Sequence, residues 1–282
     1  MPLQEIIAGQ ELWARKRWPG HTGRRAPSLD ENLVVEMSSL VQQQFSAGSG
    51  GELDRDGRLG KMRSLRSSSA LGFNVFAPWI GDDLEPLGRA LGVTLADNTV
   101  VFERQFKHGL NSIPPNIDIV LDNLQDRPLG IESKFTEPYG PRPIHKAIDA
   151  KYFANDRERW AELGLPKCQR LAAEVGSGVV FRRLGAGQLL KHILGLAYST
   201  KRAPRLLCVW YDNGCKEAGV HRTELARFAE LIDESIEFAS HTYQQVLSKL
   251  GAESEPVPGY LEYLQTRYHN VDVAPSSSSR RL

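Results

Sequence analysis

The sequence predicts an α/β fold in which a mixed β-sheet is flanked by helices. Three observations support this prediction. Apolar residues recur at helical spacing near both ends of the chain, three strand-like runs cluster in the middle, and one further strand-like run lies between later helices. Of the 282 residues, 41% are hydrophobic and 24% are charged. These fractions are typical of a globular protein and argue against a disordered chain, a collagen-like protein and a coiled-coil array.

The first third of the chain is predicted to be mainly helical. Proline and glycine interrupt the first 28 residues, so we expect that segment to wrap loosely on the surface. Apolar residues at helical spacing predict a helix over residues 29–45, which ends at the glycine-rich stretch 47–51. A second helix is predicted over residues 61–76, because Pro78 disfavours its continuation.

The centre of the chain supplies the predicted sheet. Short apolar runs, separated by loops that contain Asn, Asp and Pro, predict strands at 100–106, 117–121 and 130–135. Helical patterns follow at 145–153, 166–174 and 188–198, then an apolar strand at 205–211 and a long amphipathic helix at 223–249. This order of elements favours one α/β domain.

The charge balance and the cysteines limit the classes of function. The chain has 35 Lys and Arg against 34 Asp and Glu, so nucleic-acid binding requires local basic patches. Cys168, Cys208 and Cys215 form no Cys-x-x-Cys pair, which argues against a zinc ribbon and a disulfide framework. The sequence contains no signal peptide, no membrane-length apolar run and no Walker loop. We therefore expect a cytoplasmic protein without a membrane partner.

Charged residues alternate with apolar ones on the second and third predicted strands. Asp118 points away from the apolar face of its strand, and Glu132 and Lys134 share one face of the next strand. If the two strands pair as a hairpin, these three residues meet on one side. Two carboxylates suit Mg²⁺, and a lysine beside them can activate an attacking water or stabilise transition-state charge. The alternative is a surface hairpin with a Glu–Lys ion pair of little energetic value.

The pattern Pro115-x-x-Asp118…Glu132-x-Lys134 resembles the active-site motif of the PD-(D/E)XK, or restriction-endonuclease-like, nuclease superfamily. Longer stretches resemble a bacterial group of uncharacterised restriction endonucleases within it; they are residues 50–53, 61–79, 114–118, 131–138 and 187–198. The resemblance extends over residues 48–212. It implies a restriction-endonuclease-like core of order αβββαβ, with a central mixed sheet of about four to five strands flanked by helices.

The resemblance also suggests how the chain is divided. Residues 1–47 are predicted to form an N-terminal helical region, and residues 48–250 the PD-(D/E)XK nuclease core. Residues 251–282 would form a C-terminal extension, whose serine- and arginine-rich tail over 275–282 is predicted to be disordered.

The resemblance assigns a role to each residue of the motif. Asp118 and Glu132 are implied as metal ligands, and Lys134 as the residue that orients or activates the attacking water. The implied cofactor is Mg²⁺, with Mn²⁺ as a substitute. The sequence departs from the motif by having Asn116 and Ile117 between the proline and the aspartate.

Many members of the superfamily carry a further glutamate on the first helix of the core. Glu52, in the glycine-rich entry to that helix, is the preferred candidate for a third metal ligand. Glu36 is a weaker candidate, and Glu103 could approach the metal from the preceding strand. The alternative for Glu52 is an acid that is favoured at a helix N-terminus by the helix dipole.

The predicted helix over 188–198 could lie beside the active site. By resemblance, Gln188 and Lys191 are candidates for contact with the scissile phosphate, the alternative being plain helix polarity. His192 and Gly195 share their side of the helix, opposite a leucine-rich stripe. We expect His192 to be a polar side chain rather than a metal ligand, because a single imidazole without partners rarely binds metal.

Basic residues near the motif are candidates for nucleic-acid contacts. Arg142 and Lys146 follow the catalytic strand, and Arg182 and Arg183 lie in segment 151–205, which has eleven Lys and Arg against four Asp and Glu. The alternative is a solvated helical face. Small residues at 67–69 are interpreted mainly as packing against the sheet, and phosphate binding by these serines is the alternative.

These features predict a metal-dependent nuclease that hydrolyses phosphodiester bonds, in the first instance a DNA endonuclease with a restriction or defence role. A restriction-like role would imply a homodimer that cuts double-stranded DNA with two sites, an inference from fold analogy. Two alternatives stay open: a nucleic-acid-binding subunit of the same fold with little catalysis, and a nuclease that acts on RNA or on free DNA ends.

Overall fold

Five β-strands form one mixed sheet at the centre of the protein: β1 Thr99–Gln105, β2 Asn116–Asp122, β3 Leu129–Lys134, β4 Arg205–Trp210 and β5 Glu237–Thr242. This computed structural model describes residues 2–48, 50–95, 99–122, 127–140, 148–175, 177, 181–251 and 255–269. The strands lie side by side in chain order; β1, β2 and β3 are antiparallel, whereas β3, β4 and β5 are parallel. The predicted α/β class with a mixed sheet is confirmed.

Helices cover both faces of the sheet. They are α1 Pro2–Arg17, α2 Ser39–Ala47, α3 Ser68–Phe76, α4 Glu85–Leu91, α5 Pro166–Glu174, α6 Ala186–Thr200, α7 Lys216–Leu231, α8 Tyr243–Lys249 and α9 Tyr260–Leu264. Every residue of β4 is buried, as expected for a central strand between parallel neighbours. The parallel connections run through α6 and α7, because parallel strands need a long crossover. Within the described ranges, no helix has the length and apolar character needed to cross a membrane.

Helix α3 lies unusually close to the sheet. A Cβ atom on Gly72 would be 3.0 Å from Ile119 Cδ1 and 3.4 Å from Ser133 Oγ, so the absent side chain permits this approach. The Ser133 hydroxyl also donates to the carbonyl of Ser68 at 3.2 Å. The beginning of α3 is therefore fixed beside β2 and β3, the two strands that carry the predicted motif.

The predicted loose wrapping of the first 28 residues is wrong. Residues 2–17 form α1, which buries Ile6, Ile7 and Trp13. The helix is stable here because its inner face packs against the C-terminal segment, a long-range contact that its mixed composition does not reveal.

Arg267 is the buried residue that joins the two ends of the chain. Its guanidinium lies 4.3 Å from the Trp13 ring centroid and donates to the backbone oxygen and to Oδ1 of Asn32, each at 2.7 Å. Gln10 donates to the Arg267 carbonyl at 2.8 Å. Asn74 of α3 donates to the same Asn32 carbonyl at 3.1 Å, which links both termini to the core.

Both early helices begin later than predicted. The segment 29–45 contains a short 3-10 turn at Asp30–Asn32 before α2, and 61–76 contains another at Lys61–Arg63 before α3. Serine caps set the two helix starts: Ser38 accepts from the Val41 N–H and Ser67 from the Ala70 N–H, at 3.4 and 3.1 Å.

The predicted long helix over 223–249 is also wrong, because the segment contains the end of α7, then β5 and α8. Strand β5 is at the sheet edge and most of its residues are half-buried or exposed, so it lacks the apolar pattern of a buried strand. Thr242 and Gln245 form a reciprocal capping box that starts α8, with bonds of 3.0 and 2.8 Å.

The remaining predicted helices have different outcomes. The helices over 166–174 and 188–198 are confirmed as α5 and as part of α6. The helix over 145–153 falls partly outside the described residues, and its described part contains the 3-10 turn Ala150–Tyr152. The tail over 275–282 lies outside the described residues.

The Arg267 contacts predict an unequal cost for removing two arginines. Arg267→Ala should destabilise the fold by about 3 kcal/mol, because it leaves buried acceptors without donors. Arg24→Ala, which removes an ion pair whose Arg24 side chain is 65% exposed, should cost less than about 1 kcal/mol. Urea unfolding of both variants checks this, and equal losses would contradict the role given to Arg267.

Candidate active site

An open cleft of about 820 Å³ is lined by several of the predicted site residues. Its lining includes Glu52, Glu103, Asp118, Lys134 and Gln188. These residues come from a loop, from three neighbouring strands and from the start of α6, which are far apart in the sequence. The cleft is therefore the candidate active site.

The pairing of β2 with β3 places the motif residues on one face. Ile119 of β2 pairs with Ile131 of β3. Because the two strands are antiparallel, the adjacent residues Asp118 and Glu132 lie opposite each other. The Ser133 N–H donates to Asp118 Oδ2 at 2.8 Å, which fixes the direction of the carboxylate. Lys134 follows two residues after Glu132 and lies on the same face.

Glu132 is only 1% exposed, and two cationic or hydrogen-bonding partners hold it. Lys134 forms an ion pair with Oε1, and His192 Nε2 lies 2.9 Å from Oε2. Burial alone would raise the pKa of Glu132, but the Lys134 charge and His192 outweigh it and lower the pKa to about 2. Glu132 is therefore ionised at neutral pH.

Lys134 keeps its proton in this environment. Burial lowers the pKa of the ammonium, but the charges of Glu132, Asp118 and Glu137 raise it above its ordinary range. Its Nζ also donates to Gln188 Oε1 at 3.4 Å. Lys134 is consequently a donor and a positive charge at neutral pH and not a general base.

Asp118 and Glu103 lie in an excess of negative charge. Burial raises the pKa of Asp118 well above its ordinary value, and repulsion by Glu132 adds to this. Burial also raises the pKa of Glu103 to about 7, with contributions from the charges of Glu52 and Glu132 and against the hydrogen bond from Asn116.

Glu103 occupies a strained position opposite Asp118. The pairs Phe102–Ile119 and Arg104–Ile117 flank it on the β1–β2 ladder, and its φ of 50° is in the left-handed region. Asn116 Nδ2 donates to its Oε2 at 2.6 Å. Glu36, the other weaker candidate, is exposed and does not line the cleft.

Glu52 lies in the loop between α2 and α3 and is 8% exposed. The alternative of an acid in the first turn of a helix is therefore wrong. Lys61 Nζ lies 3.6 Å from Glu52 Oε1, and the Met62 N–H donates to the Glu52 carbonyl at 3.0 Å. Gly60 is required beside this loop, because a Cβ there would lie 2.2 Å from the Glu52 carbonyl oxygen.

The donor set fits a magnesium ion held by few protein ligands. Among the described residues, no three Asp, Glu, His or Cys side chains converge as a preformed metal site. Mg²⁺ nevertheless binds through one or two carboxylates and keeps several waters. Burial, together with repulsion by neighbouring carboxylates, raises the pKa of Asp118 and that of Glu103, and a divalent cation would relieve this excess of negative charge.

Helix α6 presents its polar residues differently from the predicted pattern. Gln188 lines the cleft, whereas Lys191 is partly buried and does not line it. His192 is 1% exposed, because it faces Glu132 on the sheet. Gly195 packs against Phe106, whose carbonyl oxygen would be 3.1 Å from an added Cβ. His192 and Gly195 are therefore packed against the sheet and the β1–β2 segment, although they lie opposite the leucine-rich stripe of the helix.

Of the predicted nucleic-acid contacts, the two that the structure describes, Arg182 and Arg183, do not line this cleft. The exposed Arg182 and the partly buried Arg183 precede α6, where their backbone N–H groups donate to Glu224 at 2.7 and 2.8 Å. Arg142 and Lys146 lie outside the described residues. The cleft has a further wall from the N-terminal part of the chain, formed by Arg25, Lys61, Ser64, Arg66 and Ser67–Ser69. Sequence reasoning considered phosphate binding by the serines at 67–69 but did not identify the cations of this wall.

Comparison with known proteins gives one match. A family model described as "Restriction Endonuclease associating with ARP" matches residues 16–269, well beyond the span of the resemblance noted in the sequence. No curated protein and no solved structure matches the chain. The match confirms the restriction-endonuclease-like resemblance and agrees with the mixed sheet and its flanking helices.

The contact between His192 and Glu132 can be tested through stability. His192→Ala removes a donor from a buried carboxylate and should cost about 3 kcal/mol at neutral pH. His192→Gln keeps a donor and should recover much of that loss. Urea unfolding measures both variants, and an equal loss would contradict the stabilising role given to a donor at this position.

Proposed function

The chain belongs to the family of restriction endonucleases associating with ARP, and from this membership we propose that it is a metal-dependent nuclease that hydrolyses phosphodiester bonds in DNA. One observation carries the proposal. Asp118, Glu132 and Lys134 lie on one face of two paired strands, and Asp118 and Lys134 line an open cleft of about 820 Å³, with the buried Glu132 behind it in contact with Lys134.

The carboxylates have the character of metal ligands. Asp118 and Glu132 would hold Mg²⁺, and Glu103 and Glu52 are further acids that line the cleft. A bound Mg²⁺ would supply positive charge at the scissile phosphate and favour deprotonation of the attacking water. Ser133 contributes by fixing Asp118, and His192 by fixing Glu132.

Lys134 supports the attack as a fixed cation. Because it stays protonated, it would orient the attacking water by donating to it and stabilise negative charge that develops on the phosphoryl oxygens. Gln188 accepts a hydrogen bond from Lys134 at 3.4 Å and restricts the position of the ammonium group. Gln188 thereby belongs to the same site.

A binding subunit with little catalysis fits these contacts less well. In a non-catalytic binding protein, a buried carboxylate with a lysine partner would not be needed for stability, because replacing such an ion pair with apolar residues often leaves stability unchanged or raises it. RNA and free DNA ends present the same phosphodiester chemistry, so they are included as substrates in the test.

The family description supports a further proposal about partners. It names an association with ARP, and we propose that this chain also acts together with a second protein. Cleavage of both strands of a duplex needs two active sites, so a restriction-like role also predicts a homodimer. Light scattering on the purified protein would measure that state.

We expect the protein to nick or linearise supercoiled plasmid with Mg²⁺ or Mn²⁺ and to be inactive in EDTA. Lys134→Ala and Glu132→Gln should each lower the cleavage rate at least about 100-fold, because each removes charge from the reacting centre. Lys216→Ala, an exposed lysine at the start of α7, should not change the rate.

Cleavage that persists in EDTA, or in Lys134→Ala at the wild-type rate, would contradict the proposed function. Linear RNA, single-stranded DNA and duplexes with free ends run in parallel would identify which polymer is cut. Discrete products from the plasmid would indicate sequence specificity.

A further inference from the structure

One wall of the cleft carries positive charge and hydroxyl groups. It consists of Arg25 from the segment after α1, and of Lys61, Ser64, Arg66 and Ser67–Ser69 from the approach to α3. The carboxylates Asp118 and Glu103 line the same cleft from the sheet. The cleft therefore combines cations and acids on separate elements of the fold.

Backbone hydrogen bonds hold the two segments of the wall together. Arg25 and Ser64 form an isolated antiparallel bridge. On either side of it, the Ala26 N–H donates to the Arg63 carbonyl at 2.8 Å, and the Leu65 N–H donates to the Arg24 carbonyl at 3.1 Å. Arg25 is thus fixed beside the segment that carries Arg66, although both side chains are exposed.

The arginines next to them in the sequence have acidic partners. Arg24 pairs with Glu11 at 3.0 Å, and Arg63 pairs with Asp54 at 3.2 Å. Lys61 of the wall pairs with Glu52. These three cations are therefore already balanced by acids of the protein.

Arg25 and Arg66 differ from these neighbours. Over the part of the chain that the structure describes, neither has an acid within ion-pair distance, and the one side-chain hydrogen bond of Arg25 goes to the Leu59 carbonyl at 3.4 Å. Two guanidinium groups at one cleft are thus left for an external anion. A guanidinium suits phosphate because it can donate two parallel hydrogen bonds.

We propose that Arg25 and Arg66 bind the phosphodiester backbone of a nucleic-acid strand and hold it in the cleft against the sheet. This inference rests on the proposed function and assigns its backbone-binding surface to the N-terminal part of the chain. Ser68 and Ser69 contribute hydroxyl groups to the same wall. Contacts of this kind set the position of a strand and carry no sequence information.

The acids that line the rest of the cleft make nucleic-acid binding depend on the two arginines. The acids Glu52, Glu103 and Asp118 line the same cleft and do not attract phosphate, so affinity must come from the cations of the cleft. Binding in the absence of metal should consequently depend on Arg25 and Arg66. This makes strand binding separable from cleavage in experiment.

The test measures binding of labelled duplex DNA by fluorescence anisotropy in EDTA, so that no hydrolysis occurs. Between about 50 and 200 mM salt, the slope of log Kd against log salt reflects the number of neutralised phosphates. Arg25→Ala/Arg66→Ala should reduce this slope by about 1.8, and each single variant by about 0.9. The double variant should also bind at least about tenfold more weakly at low salt.

The matched control removes the same charge elsewhere. Arg170 and Arg202 are exposed and do not line the cleft, so Arg170→Ala/Arg202→Ala should keep the wild-type slope. Thermal unfolding of all variants separates loss of binding from loss of folding. Since the single variants each remove one exposed side chain, they provide folded comparisons if the double variant is unstable.

An unchanged slope in Arg25→Ala/Arg66→Ala would overturn the proposal, and so would an equal decrease in the control pair. Absence of binding by the wild type to duplex DNA, single-stranded DNA and RNA would overturn it as well. A decrease confined to one of these polymers would support it and identify the strand. If the wild type binds as expected but never cleaves, the proposed nuclease function fails while this inference holds.

Discussion

Glu132 combines a negative charge with almost complete burial, and the candidate active site depends on the two groups that make this combination stable. Lys134 and His192 hold its two oxygens and lower its pKa to about 2. The same contacts keep Lys134 protonated and bring α6 against β3. Removal of one partner would leave an uncompensated buried charge, which is far more costly than loss of an exposed pair. The site is thus part of the core.

The cleft requires parts of the chain that are distant in sequence. The sheet supplies the acids, α6 supplies Gln188, and the segments around Arg25 and Arg66 supply the basic wall. These segments are held in place by the Arg25–Ser64 bridge and by the Arg267 contacts that tie α1 and the C-terminal segment to the core. The terminal regions therefore contribute to the site as well as to stability.

The sequence predicts the features that depend on local pattern. Alternation in β2 and β3, once the two strands pair as a hairpin, places Asp118, Glu132 and Lys134 on one face, and the apolar run of β4 identifies a central strand. It fails where long-range packing decides. The role of His192 depends on Glu132, which is sixty residues away in the sequence. Strand β5 has no recognisable strand pattern, and it is its pairing with β4 that stabilises it as a strand. The basic wall is missed because its cations lie far from the motif.

The central claim is that the acids of the cleft bind a divalent cation, and calorimetric titration of the purified protein with Mn²⁺ tests it without any nucleic acid. The wild type should bind the ion with release of protons, because the pKa of Asp118 and that of Glu103 are raised. Asp118→Asn should weaken binding at least about tenfold, since it removes a charged ligand. Equal binding by the two proteins, or no binding by the wild type, would contradict the account.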